Sequence, residues 1–179
     1  MYWGSRGLSS KIEQANMDGS NRATLVSSGL KWVNSLAIDY RSRLLYWCDA
    51  YLTRIERIDL QGNNRKLILD LSLDLHPFGL ALHSNILYWS DWNSRSIHKY
   101  NMTSSVTEVV VRGMGTLMEL HIYDHTETFN GTHVQFSSLK LFVCLFVFCC
   151  CYGDWRGSRK PLITADGESR NLKRALGTN

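Results

Sequence analysis

At 179 residues, 44% hydrophobic and 20% charged, the chain carries enough apolar material for a buried core and has ordinary globular composition. Its net charge of +4 comes wholly from residues 133–179, because residues 1–132 hold thirteen basic and thirteen acidic side chains; a neutral body argues against a nucleic-acid groove, which needs a concentrated basic stripe. Four of the five cysteines, Cys144, Cys149, Cys150 and Cys151, also lie in that tail, in neither a spaced disulfide framework nor the two-residue spacing of a metal site.

The chain opens with Met-Tyr-Trp-Gly, which lacks the basic and apolar regions of a signal peptide and reads instead as the interior of a repeat. Tyr2-Trp3, Tyr46-Trp47 and Tyr88-Trp89 lie 44 and then 42 residues apart, the period of one propeller blade. Each pair sits in a short apolar run that passes through a polar turn into an alternating segment, the signature of paired strands. Asp18-Gly19-Ser20-Asn21 and Gln61-Gly62-Asn63-Asn64 supply the positive φ of hairpins. Leu36-Ala37-Ile38-Asp39 and Leu80-Ala81-Leu82-His83 are small and apolar enough to line the packed inner part of a blade. Four strands per period are therefore predicted. No window before residue 132 sustains helical spacing for three turns. The third copy decays after Tyr100, where Thr103-Ser104-Ser105 replaces the glycine turn, and Met118 to Tyr123 adds one more alternating strand.

Past Thr132 the repeat text stops. Leu141 to Tyr152 is an uninterrupted apolar run of 12 residues, against about 20 needed to cross a bilayer core; an aggregation-prone β segment is the alternative to a membrane-inserted one, and direct membrane contact stays open. The expected organisation is repeats over 1–124 (a partial blade 1–30, blades 31–74 and 75–115, an extra strand 118–124), a linker 125–138, an apolar cysteine-rich segment 139–152, and a basic polar end 153–179 without ordered structure.

Tyr-Trp-Cys-Asp at 46–49 and Tyr-Trp-Ser-Asp at 88–91, with Ile12 to Arg22 as a third strand and hairpin and His76 to Ala81 as a blade entry, resemble the YWTD repeats of the low-density lipoprotein receptor family. The resemblance covers residues 1–124. It implies an all-β fold, a fragment of a six-bladed-type propeller comprising about two to three blades, with a tail foreign to the pattern. Tyr2, Trp3, Tyr46, Trp47, Asp49, Tyr88, Trp89 and Asp91 are the expected structural motif, the aromatic pairs filling the wedge between blades and the aspartates accepting hydrogen bonds from an adjoining strand. Ser5 stands where the first copy would have its aspartate, and Cys48 where the second would have threonine.

The family resemblance further implies a non-catalytic extracellular segment of an endocytic receptor, on the luminal side of plasma membrane or endosome. Its partners would be protein ligands or lipoprotein-associated proteins, together with remaining blades and growth-factor-like modules of a longer chain. A matrix or Wnt-co-receptor-like propeller serving as an adhesion surface is the alternative. No cofactor and no metal are expected: the aspartates recur with the blade period or sit at turns, and no HExxH or nucleophile elbow is present. His76, His83 and His98 are the candidates for pH sensing, since imidazole changes charge between about pH 5 and 8. Asn101 and Asn130 head glycosylation sequons. Trp32 and Trp92 are read as packing between blades, with exposed ligand anchorage as the alternative, and Cys48 is expected buried.

Overall fold

The computed structural model describes residues 1–115 and 117–123 and, beyond them, the backbone of five short strands. The first sheet is a three-stranded meander of β1 (Tyr2–Gly4), β2 (Ile12–Gln14) and β3 (Ala23–Val26). The second holds β4 (Val33–Asp39), β5 (Leu44–Asp49), β6 (Arg54–Asp59) and β7 (Lys66–Asp70), and the third β8 (Pro77–His83), β9 (Ile86–Asp91), β10 (Ser96–Asn101) and β11 (Val106–Val111), each four-stranded with neighbours in chain order. All these pairings are antiparallel. The fold is an all-β set of propeller blades, with no helix among the described residues.

Register shows that the copies are equivalent. Trp47 lies between Leu36 and Glu56, and Trp89 between Leu80 and His98. Trp3 faces Glu13, so β1 occupies the place of β5 and β9 and its other edge carries no strand among the described residues. Successive sheets stack: β1 meets β4, β4 meets β8, and β8 meets β12 (Glu119–Tyr123). Between them lie three apolar layers. The first joins Ile12, Val26 and Val33 to Leu45 and Trp47; the second joins Tyr46, Cys48 and Ile55 to Leu80, Leu87 and Trp89; the third joins Ala81, Tyr88 and Ile97 to Leu117 and Leu120. Each layer buries one face of a sheet against the next, which is why a single blade cannot stand alone.

The hairpin glycines behave as their sequence context predicts, Gly19 at φ 84° and Gly62 at 88°, followed by left-handed Asn21 and Asn64. The third copy keeps the same turn without glycine. Asn101 Oδ1 accepts from the amides of Thr103 (2.9 Å) and Ser104 (3.2 Å), much as Asp59 Oδ1 accepts from Gln61 and Asn63, and Ser105 takes the left-handed position at φ 56°. The decay read from the sequence is thus confined to residue types; β11 still forms.

β12 pairs with β15 (Lys140–Cys144), after a small hairpin of β13 (Thr128–Phe129) and β14 (Thr132–His133), and the sheet continues through β16 (Leu162–Thr164) and β17 (Ser169–Arg170). Parts of the apolar segment and of the basic end therefore form strands. The physical reason is that β12 presents a full row of backbone donors and acceptors, and Leu141-Phe142-Val143 are strong strand formers. The rest of 124–179, Asn130 included, lies outside the described residues.

Gly79 marks a close approach of β8 to the backbone of β12 and the residues before it. A Cβ there would stand 2.8 Å from the Leu120 amide nitrogen and 2.9 Å from the Met118 carbonyl oxygen, both backbone. Neither atom can swing aside as a side chain would. Gly79→Ala is expected to push β12 off β8 and cost about 1–3 kcal/mol, read as a lower urea midpoint. An unchanged midpoint would show that β12 is not held at this distance.

Candidate functional site

Asp49 and Asp91 end β5 and β9 and are fully buried. The Asp49 carboxylate reaches across to the segment that enters its own blade. Oδ2 accepts from the Lys31 amide at 2.7 Å, and Oδ1 accepts from the amides of Trp32 (3.1 Å), Tyr51 (3.1 Å) and Leu52 (3.0 Å). Asp91 repeats the arrangement, accepting from the His76 amide through Oδ2 and from the Ser94 amide and hydroxyl, each 2.7 Å, through Oδ1. A carboxylate fits because it alone offers enough acceptor sites for a turn that would otherwise bury several bare N–H groups. In the first copy the Ser5 hydroxyl engages only Lys11, whose amide donates to Oγ at 3.0 Å. Cys48, beside Asp49, is free and buried, and burial pushes its thiol up to about 12.

A second recurrent constellation was not read from the sequence. Glu13 and Glu56, one residue after the buried isoleucines of β2 and β6, are themselves buried. Glu13 pairs with Arg22 (2.8 Å) and Lys11 (3.1 Å); Glu56 pairs with Arg65 and Arg54, each at 2.5 Å. The arginine nine residues on lies over the tryptophan of its copy, Arg22 on Trp3 and Arg65 on Trp47, both 5.2 Å from the ring centre. The hydrogen bond from Arg22 holds the Glu13 carboxyl down at about 2, with Lys11 adding to it against the opposing effect of burial. The spacing of nine residues between glutamate and arginine, repeated in two copies, was the available signal.

The third copy departs from this. His98 takes the glutamate position and stacks flat on Trp89, with centroids 5.0 Å apart and planes 9° apart. Its Nε2 is 2.7 Å from Ser96 Oγ, which contacts Ser94 Oγ, which in turn donates to Asp91. Since Asp91 also holds the His76 amide, one hydrogen-bonded line runs from a buried imidazole to the entry of the blade. Desolvation lowers the His98 pKa and Arg112 adds to that, while Asp91 opposes them.

The entry segments carry aromatic rings across the blade boundary. Tyr51 meets Trp32 edge-on at 5.4 Å, Trp32 meets His76 at 6.1 Å, His76 meets Trp92 at 5.8 Å, and Trp92 meets Phe78 at 5.6 Å. Arg6 lies 5.5 Å from the centre of the Phe78 ring. Trp32 packs across the blade boundary on His76, whereas Trp92 packs on His76 and Phe78 of its own blade; the two tryptophans remain 41% and 42% exposed, with Tyr51 at 59%. Beside them a cleft of about 580 Å³ is lined by Arg6, Asn34, Phe78, Trp92, Met118 and Glu119. Asn34 donates from Nδ2 to the Pro77 carbonyl (3.0 Å), while its buried Oδ1 has no partner among the described residues.

The remaining sequence candidates are dispersed. His83 ends β8 opposite Ile86, away from the aromatic row. Tyr46 and Tyr88 are buried in successive layers, and Tyr2 and Trp3 are partly exposed on β1. Asn101 has its Oδ1 engaged in the β10–β11 turn. No group of three or more metal-ligating side chains occurs among the described residues, and no helix there is long and apolar enough to cross a membrane.

No family model matches the chain. It is 34% identical over 133 residues to the vitellogenin receptor Yl of Drosophila melanogaster, covering 74% of this chain and 7% of that protein. It is 39% identical over 122 residues to the sortilin-related receptor of Mus musculus, covering 68% of this chain and 5% of the relative. The chain therefore spans only a small part of the curated relatives it matches. Among solved structures, a nidogen/laminin complex aligns with a TM-score of 0.54 at 31% identity, over 59% of this chain and 40% of that one. A regucalcin from Agrobacterium tumefaciens aligns at 0.58 but at 12% identity, over 79% and 48%, which speaks to the fold alone. With Tyr-Trp strands in three equivalent registers, two of them clamped through Asp49 and Asp91, and receptors as relatives, the repeats of this chain belong to the YWTD β-propeller repeats of the low-density lipoprotein receptor family.

Proposed function

We propose that this chain is a non-catalytic, extracellular propeller segment of an endocytic receptor, and that the aromatic row beside the Arg6–Asn34 cleft is where a protein ligand docks. The observation that carries this is the line of five rings from Tyr51 to Phe78, three of them well exposed, on rigid blade entries. Exposed tryptophan and tyrosine on a fixed scaffold supply contact area at little entropic cost and are the residues that dominate protein interfaces. The clamps on Asp49 and Asp91 serve the site by fixing the segments that carry Trp32 and His76. The curated relatives are receptors, one named for vitellogenin, and the structural neighbour belongs to a nidogen/laminin complex. The latter favours a second reading, an adhesion propeller in the matrix.

The test is surface plasmon resonance on the immobilised chain with vitellogenin and laminin as separate probes. Vitellogenin binding lost in Trp32→Ala and Trp92→Ala supports the receptor reading. Laminin binding with the same losses supports the matrix reading. Binding of neither probe, or binding that survives both substitutions, overturns the aromatic site.

Ligand release in an acid compartment would act through His98. Because its native pKa is lowered, the native state holds fewer protons than the unfolded chain once the pH drops below the ordinary histidine value of about 6.5. Stability is then full above that value and falls as the pH moves down toward the depressed one. The wild-type chain is expected to melt at a lower temperature at pH 5.5 than at pH 7.5, and His98→Gln to flatten that difference. An identical pH dependence in the variant would remove His98 from the account and leave His76 and His83 as the groups to test.

A further inference from the structure

We infer that the cleft between the second and third blades, at Arg57 and Lys66, binds a tetrahedral oxyanion, the sulfate or phosphate group of an ester. All its walls come from residues 39–105, within the two four-stranded sheets. It lies at the other end of the strands from the aromatic row, since β5 runs from Leu44 in the cleft to Asp49 beside Tyr51. Loss of either site would therefore leave the other untouched.

The starting observation is an unbalanced charge at one place in a repeated pattern. The residue paired with the motif tyrosine on the following strand is Gln14 opposite Tyr2, Arg57 opposite Tyr46 and Lys99 opposite Tyr88. One strand further out, the first copy sets Ala23 opposite Gln14, and the third sets Glu108 opposite Lys99 and joins them in an ion pair of 2.9 Å. The second copy instead sets Lys66 opposite Arg57. Like charges directly opposite one another weaken a sheet, and neither cation has a carboxylate within ion-pair distance among the described residues. The Nε of Arg57 is moreover buried with no hydrogen-bond partner there. The neighbouring blades show that the scaffold does not need two cations at this place. A guanidinium with an unused buried N–H, backed by an ammonium, is a donor set for a bound anion.

The rest of the cleft supplies further donors. Its volume is about 430 Å³, with Tyr46, Tyr100, Asn85 and Thr103 in the walls, which is the size of a small-ligand site. Burial pushes the Tyr46 hydroxyl up, against the opposing charge of Arg57, so the phenol stays protonated and can donate. Asn85 Nδ2 donates to Thr103 Oγ1 at 3.2 Å, which leaves the Thr103 hydroxyl proton for a ligand. Asp39 is the one carboxylate in the lining, and its Oδ1 accepts from the amides of Arg41 (2.9 Å) and Ser42 (3.1 Å). Against Arg57 and Lys66 it leaves the cleft positive by one charge. A planar arginine fork, a lysine point charge and hydroxyls around them suit the several oxygens of a sulfate or phosphate group.

Thermal unfolding of the full chain is followed against sodium sulfate, sodium phosphate and sodium acetate, each compared with sodium chloride at equal ionic strength. Sulfate or phosphate is expected to raise the melting temperature with saturation in the millimolar range, whereas a general salting effect does not saturate. A larger rise with sulfate assigns the site to sulfate esters, and a larger rise with phosphate to phosphate esters. Arg57→Gln should raise the apparent dissociation constant at least about tenfold. Lys66→Glu, which gives the second blade the opposite-charge pairing of the third, should abolish the response. Lys99→Gln, at the equivalent position of the third blade, should leave the constant unchanged. A response no different from chloride, one matched by acetate, one unaltered in Arg57→Gln, or one that survives Lys66→Glu would each overturn the site.

Discussion

Asp49→Ala is expected to lower stability by about 3–5 kcal/mol, the range reached when a buried hydrogen-bond network is broken. One carboxylate satisfies four backbone amides, those of Lys31, Trp32, Tyr51 and Leu52. Each N–H left bare in the interior costs about 1–3 kcal/mol, partly recovered where water enters the space vacated. Against a total stability of about 5–15 kcal/mol this is decisive, and the melting temperature should fall by about 10 °C or more. Asp91→Ala removes an acceptor for two amides and one hydroxyl and should cost less. Asp49→Asn keeps one acceptor oxygen but places an amide donor among donors, so it falls between. Urea unfolding followed by far-ultraviolet circular dichroism decides the order; an Asp49→Ala loss within 0.5 kcal/mol of wild type, the range of an ordinary surface substitution, would mean that the entry turn is held by something else.

The blades were legible because propeller structure is written at two scales that agree. The 44- and 42-residue spacing of Tyr-Trp pairs fixes the repeat, and glycine-asparagine clusters fix the hairpins within it. Both follow from backbone needs that few residue types can meet. That a carboxylate at the end of a buried strand has to find donors follows from burial, but the donors sit in the entry segment and the following turn and not on the adjoining strand that the sequence suggested. What escaped was chemistry that depends on neighbours across strands. Glu56 lies on β6, Arg65 immediately before β7 and the tryptophan beneath the arginine on β5, so their union appears only once the register of β5, β6 and β7 is known. Likewise the aromatic row joins residues from four loops and from β8, with Trp32 and Trp92 sixty residues apart in sequence. A β segment was among the readings of the apolar run, but its partner was not, because Leu141-Phe142-Val143 carries no repeat signature. Its pairing is dictated by the open edge of β12 and not by its own text.

Substituting Glu56 should rival the aspartate change, for a different reason. Its carboxylate is 4% exposed and joins two guanidinium groups, one of which lies over Trp47. Arg65 also donates to the carbonyls of Ser28 (2.6 Å) and Gly29 (2.9 Å), and Arg54 donates to Gly29 (2.6 Å), so the pair ties the second blade to the loop that leaves the first. Removing the anion leaves two cations crowded together at a site only partly open to water, where breaking a buried pair costs up to about 3–5 kcal/mol. Arg54 and Arg65 are 28% and 27% exposed, and solvent screening brings the expected loss for Glu56→Leu down to about 2–4 kcal/mol. The pH profile of the related Glu13 is informative beside it. Its carboxyl is held at about 2, below the ordinary 4.5, so its contribution is complete above pH 4.5 and is lost as the pH falls toward 2. Glu13→Gln should therefore reduce the acid sensitivity of unfolding in that window. The decisive comparison is a double-mutant cycle between Glu56→Leu and Arg65→Met. A coupling near zero would show that the arginine is held by the loop carbonyls and the tryptophan alone, whereas a coupling of 1 kcal/mol or more, within the range found for contacting residues, identifies the glutamate as the group that locks the two blades together.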